Sequence, residues 1–211
     1  MRVTEIFHSI QGESTWAGQP CTFVRLTGCP LRCRWCDTEY AFHGGTVLAM
    51  EEILQRVEGI GCPLVEVTGG EPLAQKECPE LLRALCDRGY MVLLETSGAV
   101  STEAVDPRVV TILDLKCPDS GESARNLWSN LGRLRERDEI KFVIASRGDY
   151  EWALEQVLTR GLARNRTVLF SPVWGTLEPG DLARWILEDR APVRMQIQLH
   201  KILFGADVPG V

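Results

Sequence analysis

The sequence predicts an α/β fold, an incomplete, open (β/α) barrel of about six or seven mostly parallel strands with the functional site at their C-terminal ends. Three observations predict it. Short runs rich in Val, Ile and Leu alternate with amphipathic stretches almost to the end of the chain. A complete eight-unit barrel takes about 250 residues, and this chain has 211. Glycine-rich or polar punctuation follows most of the strand-like runs, where a parallel sheet gathers its chemistry.

Residues 2–7 read as an extended edge strand. The parallel set follows at residues 21–26, 64–68, 90–95, 109–115, 139–145, 167–170 and 194–198. Helical periodicity marks residues 50–58, 78–88, 123–137, 150–160 and 181–189, the crossovers that parallel strands require. No low-complexity linker interrupts the alternation, so residues 1–211 are expected to form a single domain.

Bulk composition sets the outer limits. Apolar residues make up 45% of the chain, enough to fill one core. A formal net charge of -6 argues against a nucleic-acid-coating surface, which would be basic. No apolar run reaches membrane-spanning length, and a cytoplasmic protein is expected.

Three of the eight cysteines carry the sharpest signal. Cys29, Cys33 and Cys36, spaced C-x3-C-x2-C, sit just past the first strand of the parallel set, so three thiolates gather at a strand's end. A [4Fe-4S] cluster held by three thiolates leaves one iron open to a small molecule, whereas a structural metal site closes with four ligands. A zinc loop using His43 is the duller reading, but zinc loops bring two separated pairs of ligands and no second pair is present. A disulfide framework would suit a short secreted chain with a signal peptide. A non-enzymatic electron carrier would close its cluster with a fourth cysteine, for which Cys62 and Cys117 are candidates. Cys21, Cys62, Cys78, Cys86 and Cys117 are otherwise expected to be packed as small apolar side chains.

Thr68, Gly69, Gly70, Glu71 and Pro72 form the next strand end. Two glycines there let a ligand approach bare backbone, and Glu71 offers a carboxylate to an ammonium group. A plain turn would use the same residues. Arg25, a guanidinium in an apolar strand, needs an anionic or polar counterpart. Glu139 and Lys141 alternate on one strand face and read as a structural pair outside the site.

The cysteine spacing followed by Gly-Gly-Glu-Pro resembles the radical S-adenosylmethionine (SAM) superfamily over nearly the whole chain. Within it, residues 7–13, 23–29, 36–38 and 198–201 together resemble the 7-carboxy-7-deazaguanine synthase family. The resemblance implies that the open iron chelates SAM, that one electron cleaves the sulfonium bond, and that the resulting 5′-deoxyadenosyl radical abstracts hydrogen from substrate. It implies 6-carboxy-5,6,7,8-tetrahydropterin as substrate, contracted with loss of ammonia to 7-carboxy-7-deazaguanine in queuosine-type 7-deazapurine biosynthesis.

By the same resemblance, Trp35, Cys36, Asp37, Gly70, Glu71, Ser97, Asp114, Leu115, Lys116, Ser171, Pro172, Val173 and Trp174 would hold SAM. Ile10, Gln11, Gly12, Glu13, Arg25, Thr68, His200 and the terminal carboxylate of Val211 would meet the pterin, with Arg25 suited to its carboxylate. His200 is read as ending the last strand. Thr38 would bind Mg²⁺, a hard cation that takes few protein ligands; by itself it reads as a turn residue or helix cap. A flavodoxin- or ferredoxin-type electron donor and a homodimer are implied as partners. A glycyl-radical activase shares the cluster and the compact barrel, but residues 11–13 and 198–200 tell against it.

Two departures stand out. Ser14 follows Glu13 where family members commonly carry glycine, and so places a side chain near the proposed pterin. The short connection at residues 37–42 leaves little room for the inserted helix of fuller barrels.

Overall fold

The computed structural model describes every residue except Asp207, Pro209 and Val211. Nine strands form one sheet: β1 (Arg2–Ile10), β2 (Pro20–Leu26), β3 (Thr46–Val47), β4 (Leu64–Gly69), β5 (Met91–Thr96), β6 (Val110–Leu115), β7 (Glu139–Ile144), β8 (Thr167–Pro172) and β9 (Arg194–Met195). Their order is β3-β1-β2-β4-β5-β6-β7-β8-β9, parallel from β2 onward, with β1 and β3 antiparallel at one edge. The helices are α1 (Met50–Ile60), α2 (Cys78–Asp87), α3 (Arg147–Thr159), α4 (Pro179–Glu188) and α5 (Leu199–Phe204).

Period-two alternation assigns the two faces of the sheet. Val24, Leu26, Val65, Val67, Val92 and Leu94 pack with Ile53 and Val57 of α1 and with Leu81 and Leu85 of α2. Leu113, Leu115, Ile140, Phe142 and Ile144 pack with Tyr150, Ala153 and Val157 of α3 and Leu182 of α4. The intervening residues face the other side. Cys21, Phe23, Leu64, Leu93, Val110 and Ile112 make an apolar layer there, joined by Trp16. One step further along the strands the same face turns polar, with Arg25, Glu66, Thr68, Glu95, Asp114 and Lys141 lining a pocket.

The barrel does not close through strands. The loop between β1 and β2 folds under the sheet, where Thr15 N–H donates to Glu139 Oε2 at 3.1 Å. Its first residues rise inside and bind the last segment of the chain. Leu199 N–H donates to Gly12 O at 2.9 Å, and Ser14 N–H to Gln196 Oε1 at 2.7 Å. Ser14 sits in the left-handed region, with φ +64°, and its Oγ accepts from Trp16 N–H at 3.1 Å. The backbone cost of about 1–2 kcal/mol is thus offset by a bond worth about 1 kcal/mol, and Ser14 is not part of the pocket wall. The side chain at this position therefore stays off the pocket wall.

Three sequence expectations are corrected. Residues 123–137 form 3-10 turns rather than an α-helix. The stretch contains Asn126, Asn130 and Gly132, poor helix formers, and both asparagines use their amides on other loops. Asn126 exchanges two bonds with the Lys116 backbone at 2.9 Å each. The last strand is two residues long, and His200 lies in α5 rather than at a strand end. Glu139 and Lys141 do not pair with each other: Glu139 holds Thr15, and Lys141 belongs to the pocket.

Asn130 is fully buried. Its Oδ1 accepts from Thr102 N–H at 3.0 Å, and its Nδ2 donates to Gly98 O at 3.1 Å and Val100 O at 2.9 Å. Asn130→Ala strands these backbone groups and should destabilise the protein by about 3 kcal/mol. Urea unfolding measures this, and an unchanged midpoint would refute the assignment.

Candidate active site

A pocket of about 440 Å³ opens along the C-terminal ends of the strands, within the range of roughly 300–1,000 Å³ usual for small-molecule sites. One wall is the loop carrying Cys29, Cys33 and Cys36. Backbone bonds hold this loop to the sheet ends: Glu71 N–H donates to Gly28 O at 2.8 Å, Gly28 N–H to Ala41 O at 2.8 Å, and Arg34 N–H to Ser120 O at 3.1 Å. All three thiols are free, half-buried and on the pocket wall. Burial pushes the Cys33 thiol up to about 11 against the pull of Lys116, so ligation of a metal there requires loss of its proton.

The donor set fits an iron–sulfur cluster. Three soft sulfur ligands share one wall, and a cluster takes one thiolate on each of three irons. His43 is exposed and off the wall, while Cys62 and Cys117 are buried in the apolar clusters with Cys21 and Cys78. The turn after β4 packs directly against the cysteine loop. A Cβ on Gly70 would stand 2.7 Å from Cys29 Cβ, so only bare backbone fits there. Asp114 Oδ1 is buried beside the pocket without a hydrogen-bond partner among the described residues.

Glu71 differs from its sequence expectation. It is fully buried and outside the pocket wall. Its carboxylate accepts from Leu73 N–H at 2.9 Å, Thr96 Oγ1 at 2.9 Å, Ser97 N–H at 2.8 Å and Ser97 Oγ at 2.5 Å. In this geometry Glu71 braces Thr96 and Ser97, which do line the pocket, rather than presenting a carboxylate to a ligand.

The pocket floor comes from an unexpected direction. Ile10, Gln11, Gly12 and Glu13 enter from the N-terminal side of the sheet, not from the rim of strand ends, because the β1–β2 loop closes the barrel from below. Gln11 Nε2 donates to Glu66, and Gln11 Oε1 accepts from Glu13 N–H at 3.0 Å, which fixes the amide orientation. No side chain at position 12 could fit against the His200 ring. Gln198 Nε2 joins Glu13 Oε1 at 2.8 Å to Asp37 Oδ2 at 3.2 Å, and Lys201 Nζ holds the same Asp37 oxygen at 2.7 Å. Floor, cysteine loop and last helix are thereby tied together. Burial alone would raise Asp37, but the Lys201 ammonium outweighs it and draws the carboxyl down to about 2.

At the centre stands Lys141, whose Nζ contacts Glu13 Oε2 at 2.8 Å, Glu95 Oε1, and Asp114 Oδ2 at 3.6 Å. Burial opposes its charge, yet Glu13, Glu95 and Asp114 raise its ammonium well above the usual range. Burial likewise works against Glu13, and Lys141, Gln198 and His200 together hold that carboxyl below its ordinary value. Glu66 and Glu95 are pushed the other way, by burial and by neighbouring carboxylates that Lys141 does not fully balance.

Most residues expected from sequence meet here. Trp35, Cys36, Asp37, Thr38, Gly70, Ser97, Asp114, Lys116, Val173 and Trp174 line the pocket, as do Arg25, Thr68 and His200. Leu115 faces outward into the helix-side core, and Ser171 and Pro172 are buried off the wall. Val211 lies outside the described residues. Glu66, Glu95, Lys141, Gln198 and Lys201 also line the pocket. The signal for Glu66 and Glu95 was a lone charge inside an apolar strand, the feature that singled out Arg25; Lys141 shares its strand with Glu139.

A family model described as the Radical SAM superfamily matches residues 23–114. Over 214 aligned residues the chain is 50% identical to the 7-carboxy-7-deazaguanine synthase of Chlorobaculum tepidum, covering all of this chain and 97% of that relative. The chain belongs to the 7-carboxy-7-deazaguanine synthase family. A synthase from Koribacter versatilis is 45% identical over the full length of both chains. The crystal structure of QueE from Escherichia coli superposes with a TM-score of 0.77 at 25% identity, covering 94% of each chain. The protein is thus a radical SAM enzyme, for which the family implies a [4Fe-4S] cluster and SAM. The readings as an activase or an electron carrier are not favoured.

For this synthase family member, Gly70→Ala should drive the Thr68–Glu71 turn into the cysteine loop. Iron bound after anaerobic reconstitution should fall at least about threefold, on the scale of roughly 1 kcal/mol or more for an overpacked site. Unchanged iron content would refute the close approach.

Proposed function

We propose that this enzyme converts 6-carboxy-5,6,7,8-tetrahydropterin into 7-carboxy-7-deazaguanine, with ring contraction and loss of ammonia, in the pocket between the cysteine loop and the β1–β2 loop. One observation carries the reading: three half-buried thiols on one wall face a floor of fixed hydrogen-bonding groups, Gln11 to Glu13, in a chain of this family. Residues 1–211 act as one radical SAM domain.

Cys29, Cys33 and Cys36 would hold the cluster, and Gly70, Ser97, Asp114, Lys116, Val173, Trp174, Trp35 and Asp37 would hold SAM. When bound and reduced, that pair supplies one-electron chemistry that abstracts hydrogen from the substrate. The chain's own groups bind and orient. Gln11 offers an amide already aligned by Glu66, Gly12 brings bare backbone beside His200, and Glu13 offers a carboxylate to the donor edge of the pterin. Arg25 Nε is held by Glu5 Oε1 at 2.7 Å, which in turn accepts from Tyr40 Oη at 2.8 Å. Among the described residues the remaining Arg25 nitrogens make no hydrogen bond, so its fork can take the substrate carboxylate.

Thr38 would bind Mg²⁺ together with substrate oxygens. Its support is that Thr38 lines the pocket, with its hydroxyl 3.7 Å from Cys36 Sγ, and does not cap the short helix that follows, although Thr38 is the cap residue. The electron comes from an external flavodoxin- or ferredoxin-type donor. The enzyme works as a homodimer, a reading supported by the exposed Ile202, Leu203 and Phe204 of α5. Eight free cysteines suit the reducing cytoplasm, and no described helix is long and apolar enough to cross a membrane.

Anaerobic incubation of the reconstituted enzyme with carboxytetrahydropterin, SAM and reductant should yield 7-carboxy-7-deazaguanine by mass spectrometry; absence of that product rejects the reading. Cys33→Ala should abolish cluster assembly. Arg25→Ala should retain the cluster and SAM cleavage while lowering turnover of the pterin at least about tenfold, the scale of one charged hydrogen bond. Equal loss of iron in both variants would make Arg25 structural.

A further inference from the structure

Among the described residues Lys141 is the one ammonium group that reaches both the β1–β2 loop and the wall formed by β5 and β6. Lys116 contacts Asp114 at 2.9 Å and Lys201 contacts Asp37 at 2.7 Å, each on one side only. The three donors of an ammonium match the three carboxylates around Lys141. The carboxylates do not depend on it equally. Asp114 already has Lys116 closer than Lys141, at 2.9 Å against 3.6 Å. Glu95 is pushed towards its neutral form by burial and by Glu13 and Asp114 even with Lys141 present. Among the described residues Lys141 is the one side-chain partner of Glu95, and it is the one cation on Glu13, whose other partners, Gln196 at 3.1 Å and Gln198 at 2.8 Å, are neutral; of the two, Glu13 is the carboxylate carried by the β1–β2 loop.

We propose that Lys141 is a positioning residue for the substrate: its ammonium holds the Glu13 carboxylate aimed into the pocket, so that a strand of the far half of the sheet sets the floor that meets the pterin. The proposal rests on the functional reading of the pocket given above. The groups facing Glu13 are Lys141 on β7, His200 on α5, Glu95 on β5 and Glu66 on β4. Without Lys141, burial and the two glutamates favour the protonated Glu13, which has lost acceptor capacity for the substrate's N–H groups.

The test is equilibrium dialysis of carboxytetrahydropterin, and separately of SAM, against the anaerobically reconstituted holoenzyme without reductant, over a pH series. Lys141→Met should keep its iron and bind SAM within about twofold of wild type, while its pterin Kd rises at least about tenfold. Part of that loss should be regained as the pH is raised and Glu13 ionises. Wild type measured in parallel accounts for titration of His200 and Glu66. Lys141→Arg, which keeps the charge with a different reach, should recover part of the affinity. Should Lys141→Met fail to fold, the pair Lys141→Met with Glu95→Gln, which removes one charge of each sign, is read by the same criteria. Pterin affinity within about twofold of wild type, or an equal and pH-independent loss for pterin and SAM, would overturn the proposal alone. Failure of the wild-type holoenzyme to bind the pterin would overturn the functional reading and this proposal with it.

Discussion

Lys141 is buried inside the sheet with Glu13, Glu95 and Asp114 around its ammonium. Taking such a charge out of water costs several kcal/mol unless its partners are in place. The β1–β2 loop, β5, β6 and β7 must therefore assemble together. The interior of a complete barrel is filled by apolar layers and is no pore. Here a single apolar layer, with Phe23, Leu93 and Ile112, seals the N-terminal end of the inner face. The next layer of the same strands is charged, and the space above it remains a pocket.

Stopping the sheet short creates a second need, since the edge at β9 does not meet β1. Among the described residues the gap is bridged by side chains and by one backbone contact. Gln196 and Gln198 reach Glu13, and Leu199 N–H reaches Gly12 O. Gln198 also reaches Asp37 on the cysteine loop, so the element that shuts the barrel also joins the β1–β2 loop to the cysteine loop. The same contacts close the barrel and join two walls of the pocket. The strand-end loops serve the opposite wall in the same way, with Glu71 bracing Ser97 while its own N–H holds Gly28 next to the first cysteine.

Much of this was legible along the chain because its causes are local. Cys29, Cys33 and Cys36 lie within one loop, and the alternation of Val-rich runs with amphipathic stretches reports the parallel sheet without reference to distant residues. The failures have equally physical causes. Residues 123–137 carry a helix-like apolar pattern, but Asn126 and Asn130 satisfy backbone groups of the loops after β6 and β5 instead of a helix. Leu115 is adjacent to Asp114 in sequence and opposite to it in the sheet, since successive strand residues point to opposite faces.

Sequence by itself determined the spacing of the cysteines and the strand–helix alternation, and it singled out Arg25 and Gly70, which line the pocket, for these rest on short motifs and on residue types out of place in apolar runs. Only tertiary structure decided which carboxylates share the Lys141 ammonium. Glu13 lies 128 residues and Glu95 46 residues away along the chain. Their meeting depends on strand register and on a loop that enters the barrel from its far end, and no local pattern records either.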